Sequence, residues 1–375
     1  MKRISFTLGL LLFSILAVSQ GLKTKNVIIV TLDGVRWQEV FEGADSSILF
    51  NADYVHDQKV KNQFWDKTPE ERRNKLFPFL WNTIGVQGQL YGNRNYESDV
   101  NCSNPYFFSY PGYSEMLTGM VDLDVNSNGK IENPNYTVLE FINDQKLYEN
   151  KVAAFTTWDV FPYILREEAS GIPVNAGKES TTGMLSEKEV MLNELQELIQ
   201  NPHGSRYDAF TFYLAMEYLN RIRPNVLFIS LDETDEYTHK GKYDEYLKSA
   251  HKTDIMLAKL WDWIQSQPDY KDQTTLLITT DHGRGKRAKK GWTHHGLHVI
   301  GSGQIWLAAI GPDTPDLGEI RFPYQVYQKQ IAKTIAAFLG LNFVQDKPVG
   351  EAIDLLFITP ELEASTKSEV VWSDH

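Results

Sequence analysis

The chain has 375 residues, of which 42% are hydrophobic and 23% charged, a composition typical of a globular protein with a large core. Its 49 acidic residues outnumber its 37 lysines and arginines, so the net charge is −12 at pH 7 and no stable nucleic-acid complex is expected. The single cysteine, Cys102, excludes an intramolecular disulfide and a thiolate metal cluster.

The first 19 residues have the pattern of a bacterial secretory signal peptide. Lys2 and Arg3 form its positive start, an apolar stretch covers residues 4–16, and residues 17–19 read Ala-Val-Ser, a small-x-small cleavage site. This stretch of 13 residues is shorter than the ~20 that a membrane span needs. We expect a mature chain that starts near Gln20, carries no transmembrane anchor after cleavage, and is periplasmic or secreted.

Three short apolar runs, rich in β-branched residues, each lead directly into an aspartate. The runs are 27–32, 226–231 and 275–280, and the aspartates are Asp33, Asp232 and Asp281. Continuous apolarity predicts strands that are buried on both faces, as in parallel sheets. Ligands bind beyond the carboxyl ends of such strands, so the three acids are expected at one edge of the sheet.

Amphipathic stretches between and after these runs predict helices that cover the sheet. The helices are expected at 186–200, 245–265 and 324–339, and two further strands at 151–156 and 304–310. Alternating strands and helices predict an α/β fold with a doubly wound, mostly parallel central sheet that is covered by helices on both faces. We expect a single domain over 20–375, with inserted loops at about 42–101 and 160–225 and a frayed polar tail after Pro360.

Several residues at the expected sheet edge have metal-ligating types. Asp33 precedes Gly34, although Asp-Gly is also a common turn. Asp235 and His239 are four residues apart, which places both side chains on one face of a helical turn, although a solvated acidic turn would have the same sequence. Asp281 and His282 follow the third strand. An isolated histidine is more often packed or solvated, but four of the nine histidines fall between 282 and 298, and their density beside three acids favours metal ligation.

Ser109 stands before a Pro-Gly pair at the expected start of a helix. Backbone N–H groups at such a position point toward an incoming anion. The alternative is a serine that only caps the helix.

The order of these motifs resembles the alkaline phosphatase superfamily, most closely its nucleotide pyrophosphatase/phosphodiesterase-like two-metal branch. The resemblance covers residues 26 to about 340. The motifs that carry it are Asp33, Ser109 in S-x-P-x-Y ahead of T-G, Asp235-x-x-x-His239, Asp281-His282-Gly283 and a later His-Gly.

The resemblance implies an alkaline phosphatase-like catalytic domain with two metal sites. One would use Asp33, Ser109, Asp281 and His282, and the other Asp235, His239 and His295. His295 is preferred over His294 and His298 because it directly precedes glycine. The mixed oxygen and nitrogen ligands favour two Zn²⁺ ions, with Mn²⁺ or Mg²⁺ as alternatives.

In the same family a polar side chain near the nucleophile contacts the phosphate oxygens, and Asn101 and Asn104 are the candidates here. A basic run, made of Arg284, Lys286, Arg287, Lys289 and Lys290, either steers anionic substrates or forms a solvated loop.

The predicted function is a secreted or periplasmic two-metal hydrolase of phosphoric esters, a phosphatase or phosphodiesterase, that acts on a small phosphorylated substrate through a phosphoserine at Ser109. A sulfatase is disfavoured because its signature has arginine where this chain has Tyr113. A phosphotransferase or mutase of the same superfamily is disfavoured by export, and a non-catalytic exported binder of phosphorylated ligands by the intact nucleophile. Monoester or diester preference and the oligomeric state stay open.

Overall fold

The computed structural model describes residues 21–200, 205–286 and 291–357. The predicted signal peptide and the tail after Pro360 lie outside these residues. None of the described helices combines the length and the apolarity that crossing a bilayer requires.

The described strands form an eight-stranded sheet and a three-stranded sheet. The large sheet has the order β10-β2-β9-β7-β1-β6-β4-β5, and the small one the order β11-β3-β8. Within the large sheet as described, β9 alone runs against its neighbours. The strands are β1 (Asn26–Leu32), β2 (Gln89–Tyr91), β3 (Ser98–Asn101), β4 (Val152–Thr156), β5 (Val174–Ala176), β6 (Val226–Leu231), β7 (Thr274–Thr279), β8 (Gln304–Ile305), β9 (Leu307–Ile310), β10 (Gly318–Glu319) and β11 (Tyr324–Tyr327).

The three strands with continuous apolar runs lie side by side at the centre of the sheet. β1 pairs in parallel with β6 on one side and β7 on the other. All their residues are buried, as predicted for strands covered on both faces. Their carboxyl ends therefore meet at one edge.

Helices cover both faces of the sheet, which confirms the predicted α/β class. Alternate residues of β1 point into two separate cores: Ile28 and Val30 into the one built with α1, α11 and α13, and Val27 and Ile29 into the one built with α6, α7 and α14. The helices are α1 (Trp37–Glu42), α2 (Ser46–Leu49), α3 (Lys59–Phe64), α4 (Pro69–Leu76), α5 (Gly85–Gln87), α6 (Ser109–Thr118), α7 (Val138–Asn143), α8 (Phe161–Ile164), α9 (Glu167–Ser170), α10 (Glu187–Leu198), α11 (Asp208–Ile222), α12 (Glu233–His239), α13 (Tyr243–Ser266) and α14 (Gln330–Phe338).

The segments expected as insertions contain regular structure of their own. Residues 42–101 include α2 to α5, a π-helix at Leu80–Ile84, and two strands, of which β2 joins the large sheet and β3 the small one. Residues 160–225 supply β5 at an edge of the large sheet, together with α8 to α11.

Three local predictions were wrong in part. The stretch 324–339 starts as the strand β11 and becomes helical only at α14, since its first residues pair with β3. The run 304–310 divides at Trp306 into β8 and β9, which belong to different sheets. The helix α10 forms where expected and begins after the cap Ser186, but Leu195 is 39% exposed, because α10 lies against α11 and not on the sheet.

Candidate active site

The ends of the central strands bring the predicted acids together. Asp33 directly follows β1 and Asp281 lies two residues after β7, while Asp235 lies on α12, which begins two residues after β6. Because these strands are neighbours in the sheet, residues separated by more than 200 positions in sequence meet there. Groups of these acids with His282 and His295 have side-chain donor atoms within 4.8 Å of one another.

The first cluster centres on the ring of His282. Its Nε2 atom lies 3.4 Å from Asp33 Oδ1 and 3.4 Å from Asp281 Oδ2, and Ser109 Oγ lies 3.5 Å away. Both carboxylate oxygens are buried and have no hydrogen-bond partner. The Nδ1 atom of His282 lies 3.0 Å from the carbonyl oxygen of Gly283, to which it donates, so Nε2 faces the cluster. Carboxylate oxygens and a ring nitrogen that converge in this way fit a divalent cation, which would replace a proton on Nε2.

The second cluster adjoins the first. His239 Nε2 lies 3.0 Å from Asp235 Oδ2 and 3.0 Å from His295 Nε2. The Nδ1 atom of His295 lies 3.2 Å from the carbonyl oxygen of Phe107, so this ring too presents its Nε2 lone pair to the cluster. Asp235 Oδ1 lies 3.9 Å from His282 Nε2, which links the two clusters.

The structure distinguishes among the three histidines that follow Trp292. His295 is mostly buried, and its ring stacks on that of His282 with centroids 4.0 Å apart. His294 and His298 are exposed. Among the described residues, His295 is the member of this segment that the fold brings to the clusters.

Burial and neighbouring charges shift the pKa values of the residues in the two clusters. Burial, together with the charge of Asp33, raises the pKa of Asp281 to about 7. Burial lowers the pKa of His282, but Asp281 and Asp33 outweigh it and raise the value to about 9. Burial and the charge of His282 lower the pKa values of His239 and His295, so both rings are neutral at pH 7, the form in which imidazole binds metals.

Ser109 is the first residue of α6, and the helix cap is Phe108, which makes no side-chain capping bond. The alternative of a serine that only caps the helix is therefore wrong. The helix can lie this close to the predicted metal ligands because residue 112 is glycine: a Cβ there would be 2.5 Å from the carbonyl oxygen of Asp281. The amino end of α6 places Ser109 Oγ beside His282 and favours a bound anion.

The side chains of Asn101 and Asn104 take part in hydrogen bonds within the fold. Asn104 is buried, donates to Glu115 Oε2 at 2.8 Å, and accepts the backbone N–H groups of residues 106 and 107, which shapes the loop before α6. Asn101 donates to Gln325 Oε1 at 3.1 Å and accepts from Arg94. A substrate contact by either residue stays a prediction.

Two further residues contact the clusters. Tyr113, on α6, donates a hydrogen bond of 3.0 Å to Asp33 Oδ2. Arg284 is almost fully buried, and its guanidinium contacts Asp235 Oδ1, so placing Arg284 in a solvated basic run was wrong. Lys286 is exposed, and the other members of the run, at 287, 289 and 290, lie outside the described residues. The sequence signal for Arg284 was its position directly after Asp281-His282-Gly283.

Comparison with known proteins finds one family that matches part of the chain. The Metalloenzyme superfamily profile matches residues 181–342, a range that includes five of the predicted ligands but neither Asp33 nor Ser109. No curated protein matches the sequence.

Solved structures with the same fold share little sequence with this chain. The alkaline phosphatase PafA has a TM-score of 0.59 at 11% identity, with 90% of this chain and 99% of that chain covered. A putative sulfatase from Bacteroides thetaiotaomicron has a TM-score of 0.58 at 10% identity, with 88% and 74% covered. The phosphonate monoester hydrolase SpPMH from Silicibacter pomeroyi has a TM-score of 0.53 at 12% identity, with 88% and 76% covered. At these identities the likeness concerns the fold.

Proposed function

We propose that this chain is a two-metal hydrolase of phosphoric esters with Ser109 as its nucleophile, since residues 181–342 match the Metalloenzyme superfamily model and the fold resembles that of the alkaline phosphatase PafA. The substrate is a small phosphorylated molecule, and the nucleotide pyrophosphatase/phosphodiesterase-like branch supplies the nearest pattern of motifs. The observation that carries the proposal is the convergence of Ser109 Oγ, two buried carboxylate oxygens without a hydrogen-bond partner, and the Nε2 atom of His282.

The proposed ligand sets follow the two clusters. Asp33, Asp281, His282 and Ser109 hold one cation, and Asp235, His239 and His295 hold the other. Three carboxylates and three imidazoles favour Zn²⁺ over the harder cations, with Mn²⁺ or Mg²⁺ as alternatives. When bound, such cations neutralise phosphoryl oxygens and lower the pKa of a hydroxyl that is to attack.

The residues of the chain carry the remaining steps. Ser109 Oγ attacks phosphorus, its proton passes to solvent, the bond from phosphorus to the leaving oxygen breaks, and the leaving alcohol takes a proton. Water then attacks the phosphoserine, which releases phosphate or a phosphate monoester and restores Ser109. The amino end of α6 stabilises the charge of the phosphoryl group throughout.

Phosphoric esters are favoured over sulfate esters by the residue at position 113. The sulfatase signature has arginine there, whereas Tyr113 is buried and holds Asp33 through its hydroxyl. Sulfate esters remain in the test because a putative sulfatase shares the fold. A phosphotransferase would instead pass the phosphoryl group to an acceptor, and a non-catalytic binder would hold the ester without turnover.

We place the enzyme in the periplasm or outside the cell, on the pattern of residues 1–19. Mass spectrometry of the exported protein should find a chain that starts near Gln20. A chain that still carries the first 19 residues contradicts this location.

The test is a panel of aryl phosphate monoesters, phosphate diesters and sulfate esters, assayed with protein that was stripped by a chelator and reloaded with Zn²⁺, Mn²⁺ or Mg²⁺. We expect turnover of a phosphate ester that the chelator abolishes and Zn²⁺ restores. Turnover of sulfate esters alone identifies a sulfatase, and binding of two metals without turnover of any ester identifies a binder.

A further inference from the structure

Most of the proposed ligands in the two clusters make a hydrogen bond to a group outside the ligand set, and this bond orients the ligand. The hydroxyl of Tyr113 donates to Asp33 at 3.0 Å, and the backbone N–H of Gly34 donates to Asp281 at 3.1 Å. Carbonyl oxygens of residues 283 and 107 accept from the rings of His282 and His295. Such outer partners fix the direction in which a ligand presents its donor atom.

The corresponding partner of Asp235 is the guanidinium of Arg284. Nη2 of Arg284 contacts Asp235 Oδ1, and the Arg284 side chain is almost fully buried. Neither Nη1 nor Nη2 has a hydrogen-bond partner, so the contact with Asp235 is an ion pair. A guanidinium buried this deeply needs a carboxylate partner, because burying a charge is costly unless a partner compensates it.

The backbone holds this guanidinium in place. Its Nε donates to the carbonyl oxygen of Gly34 at 3.1 Å. Residue 34 can lie against it only as glycine, because its φ is +63° and a Cβ there would be 2.8 Å from Nε of Arg284 and 2.9 Å from Asp235 Oδ1. The Asp-Gly pair after β1 therefore provides both a metal ligand and the space for a fixed cation.

We propose that Arg284 is a positioning residue that holds the Asp235 carboxylate for the second metal site. This inference rests on the proposed function. The guanidinium contacts one oxygen of Asp235, and the other oxygen then faces His239. Arg284 also compensates part of the negative charge of Asp33, Asp235 and the neighbouring Asp232, which form a three-carboxylate group at the ends of β1 and β6.

The experiment measures zinc binding and uses three variants. The mature protein is stripped with a chelator, checked for folding by circular dichroism, and titrated with Zn²⁺ against a chromophoric chelator. In Arg284→Met we expect one of two equivalents to bind about 10–100-fold more weakly, the usual cost of losing a ligand's outer partner, while the other equivalent is unchanged. Arg284→Lys should recover part of the affinity, since it keeps the charge but not the planar fork.

A double-mutant cycle distinguishes positioning from a general electrostatic effect. In the Asp235→Asn background, Arg284→Met should cause no further loss of zinc affinity if it acts through Asp235. A further loss of similar size in that background overturns the proposal. The matched control is Arg73→Met, because Arg73 is also buried, pairs with Glu319 at 3.2 Å and packs on Trp81; this variant should lose stability and keep both equivalents.

The remaining outcomes are also decisive. Folded Arg284→Met with unchanged affinity for both equivalents overturns this inference and leaves the proposed function intact. If Arg284→Met does not fold, Arg284→Lys decides: one equivalent must weaken, and unchanged binding overturns the proposal. Wild-type protein that binds none of Zn²⁺, Mn²⁺ and Mg²⁺ contradicts the proposed function itself, and the positioning role fails with it.

Discussion

Replacing Ser109 with alanine tests the proposed chemistry most directly. Its side-chain oxygen has one hydrogen-bond neighbour among the described side chains, His282 Nε2 at 3.5 Å, and it does not cap α6. Ser109→Ala therefore removes one long hydrogen bond and no cap, so its cost in unfolding free energy should be about 1 kcal/mol or less. Six protein ligands remain, so the metal content should change little.

The kinetic effect should be far larger than the effect on stability. Without an attacking oxygen the covalent path is closed, and turnover should fall by at least about 10³-fold. Ser109→Thr keeps the hydroxyl and should retain part of the activity. A purely structural serine predicts instead that turnover changes little.

Three measurements on one preparation provide the test. Thermal unfolding reports stability, elemental analysis by mass spectrometry reports metals per chain, and hydrolysis of the best phosphate ester reports turnover. The reasoning is refuted if folded Ser109→Ala with the wild-type metal content hydrolyses that ester within about tenfold of the wild-type rate.

Three further predictions concern the surroundings of the site and the core. His295→Ala should lose about one equivalent of bound zinc, whereas His294→Ala and His298→Ala should lose little; a larger loss at His298 reverses the assignment. Gly112→Ala should lower stability by about 1–3 kcal/mol and reduce turnover, because the Cβ of the alanine would be 2.5 Å from the carbonyl oxygen of Asp281. A variant with wild-type stability and turnover would contradict this close packing. Burial raises the pKa of Asp254 to about 7 from 3.8, so as pH rises the unfolded chain loses this proton at a lower pH than the folded chain does. The stability of wild type relative to Asp254→Asn should therefore fall between about pH 4 and pH 7, by at most about 1.4 kcal/mol per pH unit. Urea unfolding that shows the same pH dependence for both proteins refutes this prediction.

Local sequence determined the central strands and the types of residue that follow them. The runs at 27–32, 226–231 and 275–280 are apolar throughout, and only a strand covered on both faces can bury such a run. An acid directly after each strand must then lie at the edge of the sheet. The class of fold and the location of most candidate ligands follow from these two facts.

The order of strands in the sheet is decided by tertiary structure. Asp33, Asp235 and Asp281 converge because β1 lies between β6 and β7, and no local pattern in the three strands specifies which of them pair. The same holds for 324–327, where an amphipathic pattern suggested helix but pairing with β3 produced a strand. Backbone pairing with a distant segment outweighs a local preference when it satisfies the N–H and C=O groups.

The surroundings of each side chain are likewise a tertiary property. In the sequence, Arg284 is one of several basic residues in a predicted loop. In the structure it is buried between Gly34 and Asp235. The helix α10 shows the opposite case: Leu195 fits the helical period of an apolar face, yet the fold leaves it 39% exposed. Periodicity and the order of motifs depend on neighbours along the chain, so the sequence is enough to predict them. Burial and charge pairing depend on neighbours in space, and only the packed sheet brings those residues together.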